Sequence, residues 1–252
     1  MLWAIDIGNT HTVVGLHDGE WRHFWRLDTH NYSTEEELAV VLKGLCDLGA
    51  VEFKASGVVV ASVVPGLDRA VRAFANRWLG SKAVFLRTGE QVGLSVDYSP
   101  ANAVGADRLA NALGALKRFS PPLIVVDFGT ATTFDTVDAS GTYVGGAIMP
   151  GPEVAASSLT SRTAKLPSIA LEKPATAIGK SVVHSLQSGL VLGYADAVDG
   201  LVSRIKRELS GEVKVVATGG LGALFAEVCG QIEEYDAYLT LDGLRIAWQK
   251  LS

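Results

Sequence analysis

Only two of the 252 residues are cysteine. Cys46 and Cys229 lie far apart and outside any CxxC-like array, which speaks against a structural zinc site. Both are expected to be buried free thiols. No lysine or arginine cluster stands out, and the formal net charge is −5, so the electrostatic footprint of a nucleic-acid binder is missing. No apolar run reaches membrane-spanning length. The N-terminus opens on an apolar strand without the basic, apolar and small-residue regions of a signal peptide, so the cytoplasm is the expected compartment, with no membrane partner. There is no Gly-x-x-x-x-Gly-Lys-Ser/Thr loop and no strand–GxGxxG–helix fingerprint. The five histidines have no HExxH-type spacing, which leaves catalytic zinc unsupported.

What the chain does have is a repeated unit. Residues 2–6 read as a buried strand, Ile7-Gly8-Asn9-Thr10 as a turn and residues 12–16 as a second strand. His17-Asp18-Gly19-Glu20 is a hairpin turn before an aromatic third strand at 21–27. The same order returns with a strand at 123–127, the turn Phe128-Gly129-Thr130 and strands at 132–137 and 142–148. Asp6 and Gly8 recur at one and the same separation as Asp127 and Gly129. A repeat this long is not a solenoid and fits two α/β domains of similar build, 1–120 and 121–252, parted near Ser120.

Between and after these units, helices are expected at 34–48, 67–79 and 107–119, and strands at 57–64, 83–86 and 213–217. Thr34 is a candidate N-cap with Glu35, Glu36 and Glu37 in the first turn. The longest helical stripe runs over 181–209, either a core helix broken near Gly193 or Gly200, or a dimer interface. Trp3, Trp21, Trp25 and Trp78 are expected in core or hairpin packing; pattern alone leaves Tyr98 undecided.

The two Asp-x-Gly turns point to phosphate chemistry. Glycine directly after a strand lets the backbone approach a ligand, and the N–H groups beyond Gly8, Asn9 and Thr10 can cradle phosphate oxygens. Asp6, at the end of its strand, is suited to hold Mg²⁺, or else to cap the turn. Asp127 has the same choice on the second copy, with Thr130 and Thr132 nearby as hydroxyl ligands. Gly105-Ala106-Asp107-Arg108 lies where a helix begins, which favours an ionised Asp107. At a reference pKa of about 3.9 such a carboxylate is a weak base, yet adequate for phosphoryl transfer, which asks mainly for alignment. Arg108 offers a bidentate grip on an anionic group. The plainer alternative is a helix cap with a surface arginine. Thr218-Gly219-Gly220 reads either as a third nucleotide-contacting turn or as a simple strand-to-helix turn.

Over nearly its whole length the chain resembles the type III pantothenate kinase family, of the acetate and sugar kinase/Hsp70/actin superfamily. The resemblance is carried by Asp6-Ile7-Gly8-Asn9-Thr10, Thr34-Glu35-Glu36-Glu37-Leu38, Ser62-Val63-Val64-Pro65 and Gly105-Ala106-Asp107-Arg108. It continues through Asp127-Phe128-Gly129-Thr130-Ala131-Thr132-Thr133, Gly145-Gly146-Ala147-Ile148-Met149-Pro150-Gly151, Arg162-Thr163-Ala164-Lys165-Leu166-Pro167, Gln187-Ser188-Gly189 and Ala217-Thr218-Gly219-Gly220.

That resemblance implies two ribonuclease H-like domains with mixed sheets and flanking helices. It also implies ATP-dependent phosphorylation of pantothenate to 4′-phosphopantothenate, the first step towards coenzyme A. It makes Asp107 the catalytic base and Asp6, Ile7, Gly8, Asn9, Thr10, His11, Thr12 and Val13 the ATP phosphate loop, with Thr130 a further ATP contact. Tyr98, Gly105, Ala106, Asp107, Arg108 and Val182 fall on substrate-binding positions. Asp127 matches the ligand of a monovalent cation, K⁺ or NH₄⁺, beside the Mg²⁺ at Asp6. A homodimer is implied, with the pantothenate pocket partly completed by the neighbouring subunit. Leu186 stands for the family's usual methionine, a packing change, but another departure matters more. In Gly179-Lys180-Ser181-Val182, valine stands where the family carries a threonine that touches pantothenate. The swap keeps the shape and removes a hydrogen bond; a buried partner left unpaired costs on the order of 1–3 kcal/mol.

Overall fold

The computed structural model describes all 252 residues, and its first strands form a meander. β1 (Leu2–Ile7) pairs antiparallel with β2 (His11–His17), and β2 pairs antiparallel with β3 (Trp21–Asp28). Gly19 turns the β2–β3 hairpin at φ +82°, a conformation that glycine adopts without a Cβ clash. On its other side β1 pairs in parallel with β4 (Gly57–Ser62), and β4 pairs in parallel with β5 (Ala83–Phe85), giving the order β3-β2-β1-β4-β5. A strand flanked by parallel neighbours is covered on both faces and reads as a continuous apolar run. β4, Gly-Val-Val-Val-Ala-Ser, is buried at every position.

Two helices cover one face. α1 (Glu35–Leu48) begins with a complete capping box, in which Thr34 accepts from the Glu37 N–H and Glu37 accepts from the Thr34 N–H. α2 (Asp68–Trp78) lies beside it. Leu38, Leu42, Val71 and Phe74 close over Trp3, Ile5, Val58 and Val60. Trp78, expected inside, instead sits 41% exposed at the end of α2 with the Arg77 guanidinium 5.2 Å from its ring centre. The following helix is α3 (Ala106–Arg118).

The second meander is β6 (Leu123–Phe128), β7 (Ala131–Val137) and β8 (Tyr143–Pro150). α4 (Pro152–Ser161), α5 (Val182–Gln187) and α6 (Gly193–Lys206) follow. β9 (Lys214–Thr218) pairs in parallel with β6, and after α7 (Gly222–Ala226) the short β10 (Glu234–Tyr235) pairs in parallel with β9. Read outward from the meander edge, the order β8-β7-β6-β9-β10 repeats that of the first sheet strand for strand. Both meanders carry a register shift at the same place, Leu16/His17 in one and Thr136/Val137 in the other. Tyr194, Val198, Val202 and Phe225 build the core on this sheet with Ile124, Val126, Phe128 and Phe134.

The helical stripe over 181–209 is interrupted just before Gly193, one of the two glycines where a break was expected. α5 passes into a π turn at Ser188–Leu192 before α6 begins, and regular structure ends at Lys206. Ser188 Oγ donates to the Ala177 carbonyl at 2.5 Å and Gln187 Nε2 to that of Ala170 at 3.3 Å. These bonds tie the irregular segment before α5 to the site of the interruption.

The last helix, α8 (Leu239–Leu251), packs against the first sheet. The Trp248 ring fills the space beside Gly57, and a Cβ on Gly243 would strike the Ala110 backbone, so α8 crosses α3 in close contact. Contacts divide the chain into Met1–Gly114 with Thr240–Ser252, and Ala115–Leu239. The division falls between Gly114 and Ala115, and the C-terminal helix belongs to the first unit.

Candidate active site

In the first unit Asp6 is half-buried at the carboxyl end of β1, facing Val13 across one edge and Ala61 across the other. Ile7 beside it is fully buried, so only its backbone reaches the loop. The turn is drawn tight by the Gly8 N–H, which donates to the His11 carbonyl at 3.0 Å; a Cβ on Gly8 would stand 2.9 Å from that same oxygen. Asn9 is exposed, and Thr10, His11 and Val13 are half-buried. Thr12 is 0% exposed, with its hydroxyl 2.9 Å from that of Thr29 and 2.5 Å from that of Tyr32. Its side chain therefore supports the loop from behind.

The segment Gly105-Ala106-Asp107-Arg108 reaches the same end of the sheet. The Val63 N–H donates to the Ile7 carbonyl at 3.0 Å, and a Cβ on Gly105 would lie 3.6 Å from Val63 Cγ1. That Cβ would also collide with the Asp107 carboxylate, so glycine is what lets Asp107 fold back over the helix start. Asp107 Oδ1 accepts the Arg108 N–H at 2.8 Å. Burial pushes the Asp107 carboxyl above its ordinary range; the Arg108 N–H and guanidinium oppose the shift without cancelling it. Burial and the helix terminus thus act on Asp107 in opposite directions. Arg108 is only 7% exposed, which removes the surface-arginine alternative. Tyr98 is 37% exposed upstream of this segment.

In the second unit Asp127 pairs in register with Thr133 and Thr218. Gly219, at φ +88°, packs so closely on it that a Cβ would strike the Asp127 carboxylate and approach the Phe128 N and O to 2.7 Å. The Thr218-Gly219-Gly220 turn is therefore built against Asp127. Thr130 is exposed in the loop, whereas Thr132, expected beside it as a hydroxyl ligand, is 0% exposed and 2.8 Å from the buried Tyr194 hydroxyl. This loop is one residue shorter than its twin: Gly129 N–H bonds to Ala131 O, where Gly8 N–H reaches His11 O. Val182 is 51% exposed at the first position of α5, lining an open cavity of about 510 Å³ with Leu166, Lys180 and Ser185. Ser181 is committed as the N-cap, accepting the His184 N–H at 3.2 Å.

No three His, Cys, Asp or Glu side chains converge to make a metal cage. A lone carboxylate such as Asp6 still suits Mg²⁺, which is held by one or two carboxylates together with substrate phosphates.

The type III pantothenate kinase family model matches residues 2–204. The chain belongs to the type III pantothenate kinase family. It is 43% identical over 252 residues to the type III pantothenate kinase of Anaeromyxobacter sp. (strain K), covering 99% of both chains. It is 40% identical over 262 residues to that of Koribacter versatilis (strain Ellin345), covering 99% of this chain and 96% of that one. Among solved structures, MreB 5 of Spiroplasma citri bound to AMPPNP superposes with a TM-score of 0.58 at 11% identity, covering 99% of this chain and 96% of that one. The fold is that of the acetate and sugar kinase/Hsp70/actin superfamily, with two mixed five-stranded sheets and flanking helices.

Within this type III pantothenate kinase fold, two site features were invisible to sequence reasoning. Thr29 and Tyr32 fall between β3 and α1 with no motif of their own, yet they back the Gly8 loop. Val63 sat inside a recognised motif, but only the structure makes it the link between Ile7 and Gly105.

Proposed function

We propose that this chain transfers the γ-phosphoryl group of ATP to the hydroxyl of pantothenate, giving 4′-phosphopantothenate and ADP at the entry to coenzyme A biosynthesis. The observation that carries this reading is Asp107, a buried carboxylate with a raised pKa at a helix start, folded back over Gly105, which lies beside Val63, itself bonded to Ile7 next to Asp6. As the pantothenate oxygen attacks the γ-phosphorus, Asp107 takes the hydroxyl proton, and the bond to the bridging β,γ-oxygen breaks. The loop from Asp6 to Val13 receives the phosphates, and Thr130 is a further ATP contact. A bound Mg²⁺ would neutralise phosphate charge, with Asp6 the residue to hold it. Asp127 is assigned a monovalent cation, K⁺ or NH₄⁺.

Tyr98, Gly105, Ala106, Arg108 and Val182 are assigned to pantothenate. Arg108 meets its carboxylate, an anion whose recognition suits a guanidinium fork. A homodimer in the cytoplasm completes the proposal. Its support is that several large apolar side chains of the second unit stand exposed, Ile148 63%, Ile178 79%, Val182 51% and Val183 44%, of the kind that a partner surface covers. No helix is long and apolar enough to cross a membrane.

A coupled ADP-release assay with K⁺ or NH₄⁺ present tests the reading: turnover should depend on pantothenate. Turnover with another hydroxylated acid and none with pantothenate would favour the second reading, a related kinase of altered specificity, for which Val182 is the motivating residue. Nucleotide binding without transfer to either would make the chain a binding protein.

A further inference from the structure

Proton count fixes the direction of the hydroxyl chain behind the phosphate loop. The Gly8 carbonyl can only accept, so Thr29 Oγ1 gives it its one proton over 2.9 Å. Thr29 must then accept from Thr12 at 2.9 Å. Thr12, with its proton used, accepts from Tyr32 at 2.5 Å. The order is Tyr32 to Thr12 to Thr29 to the Gly8 carbonyl, each hydroxyl donating once. These side chains are 5%, 0% and 3% exposed, so water does not compete for the bonds. Burial and the nearby Asp6 charge both raise the Tyr32 pKa, which keeps the phenol a donor.

The consequence lies in the next peptide. Cis bonds occur only before proline in this chain, so the Gly8–Asn9 peptide is trans, with its C=O and N–H pointing opposite ways. A Gly8 carbonyl drawn inward to Thr29 turns the Asn9 N–H outward, at an exposed residue. The Gly8 N–H is itself held by His11 O at 3.0 Å, so both peptides around this glycine are fixed.

We propose that Thr29, backed by Thr12 and Tyr32, is a positioning residue for ATP, locking the Gly8–Asn9 peptide so that the Asn9 N–H faces the nucleotide phosphates. The inference rests on the reading of this loop as the phosphate loop. The second unit supplies a contrast. Thr132 holds the position of Thr12, and its hydroxyl is 2.8 Å from that of Tyr194, but Tyr194 donates to the Pro150 carbonyl at 2.7 Å, on β8. The buried threonine–tyrosine pair is common to both units; the extension through Thr29 to the loop glycine belongs to the first.

Calorimetric binding of a non-hydrolysable ATP analogue, together with steady-state kinetics, tests this. Thr29→Val should weaken analogue binding and raise the KM for ATP about tenfold, the scale of one net hydrogen bond, with the KM for pantothenate within about twofold. Thr29→Ser should restore both values. Tyr32→Phe should cost about two- to fourfold, because Thr12 and Thr29 still hold the carbonyl. Unchanged analogue affinity in Thr29→Val, or parallel rises in both KM values, would overturn the inference alone. If Thr29→Val does not fold, unchanged affinity in Tyr32→Phe overturns it. A wild type that binds no nucleotide would overturn the phosphate-loop reading and this inference together.

Discussion

Asp107 Oδ1 accepts the backbone N–H of Arg108 at 2.8 Å, bringing the carboxylate back over the first turn of its own helix. Two effects act there in opposite directions. The helix terminus and Arg108 favour the anion, whereas burial favours the acid, and burial prevails. A carboxylate shifted upward is a better proton acceptor than a surface aspartate, at the expense of folded-state stability.

The pH dependence of kcat/KM follows. Proton acceptance needs the anion, so activity should fall on the acid side with an apparent pKa above the reference of about 3.9. An acid limb at or below that reference would show that the burial of Asp107 does not persist in solution.

Stability should respond in the opposite sense to activity. A raised folded-state pKa means that the folded chain binds more protons than the unfolded one between the two pKa values, so this group's contribution falls as pH rises through that window. Asp107→Asn removes the buried charge. Its melting temperature should exceed that of the wild type at pH 7, and the gap should close as pH approaches about 3.9. A mutant less stable than the wild type at neutral pH would contradict this.

Gly219→Ala tests the Asp127 site. A Cβ at φ +88° is strained and would press on the Asp127 carboxylate and the Phe128 backbone. The variant should lose most of its stimulation by K⁺ or NH₄⁺ and be destabilised by more than about 1 kcal/mol. Full cation stimulation at wild-type stability would remove Asp127 from the cation role.

Val182→Thr restores the hydroxyl that the family pattern carries. Val182 is half exposed and Ser181 is spent as the N-cap, so neither neighbour supplies that bond. Titration of pantothenate with an ATP analogue bound should show tighter binding in the mutant by a few-fold, up to about tenfold. Equal affinity would mean that the missing hydroxyl is no deficit.

The meanders were legible because turn chemistry and strand burial are local: Gly19 and Gly141 do supply the positive φ that their turns need. The capping box at Thr34 and Glu37 was half legible, as a cap followed by acidic residues. The break before Gly193 was legible from that glycine, but its form as a π turn at Ser188–Leu192 was not, since an apolar stripe persists across one added residue in a turn. Nor was the placement of Thr240–Ser252 with the first unit, because periodicity says nothing about which sheet a helix returns to. At the site, the Asp-x-Gly loops and Asp107 carried sequence motifs. Thr29 and Tyr32 act through folded contacts that are distant from any motif, and the direction of the Asp107 shift depends on burial.

The most direct measurement compares wild type and Asp107→Asn in pantothenate-dependent ADP release, with ATP-analogue binding followed in parallel. The account gives a fall in turnover of about 100-fold or more with nucleotide affinity within about twofold. Unchanged turnover in the mutant would remove Asp107 as the base and with it the mechanism built on it.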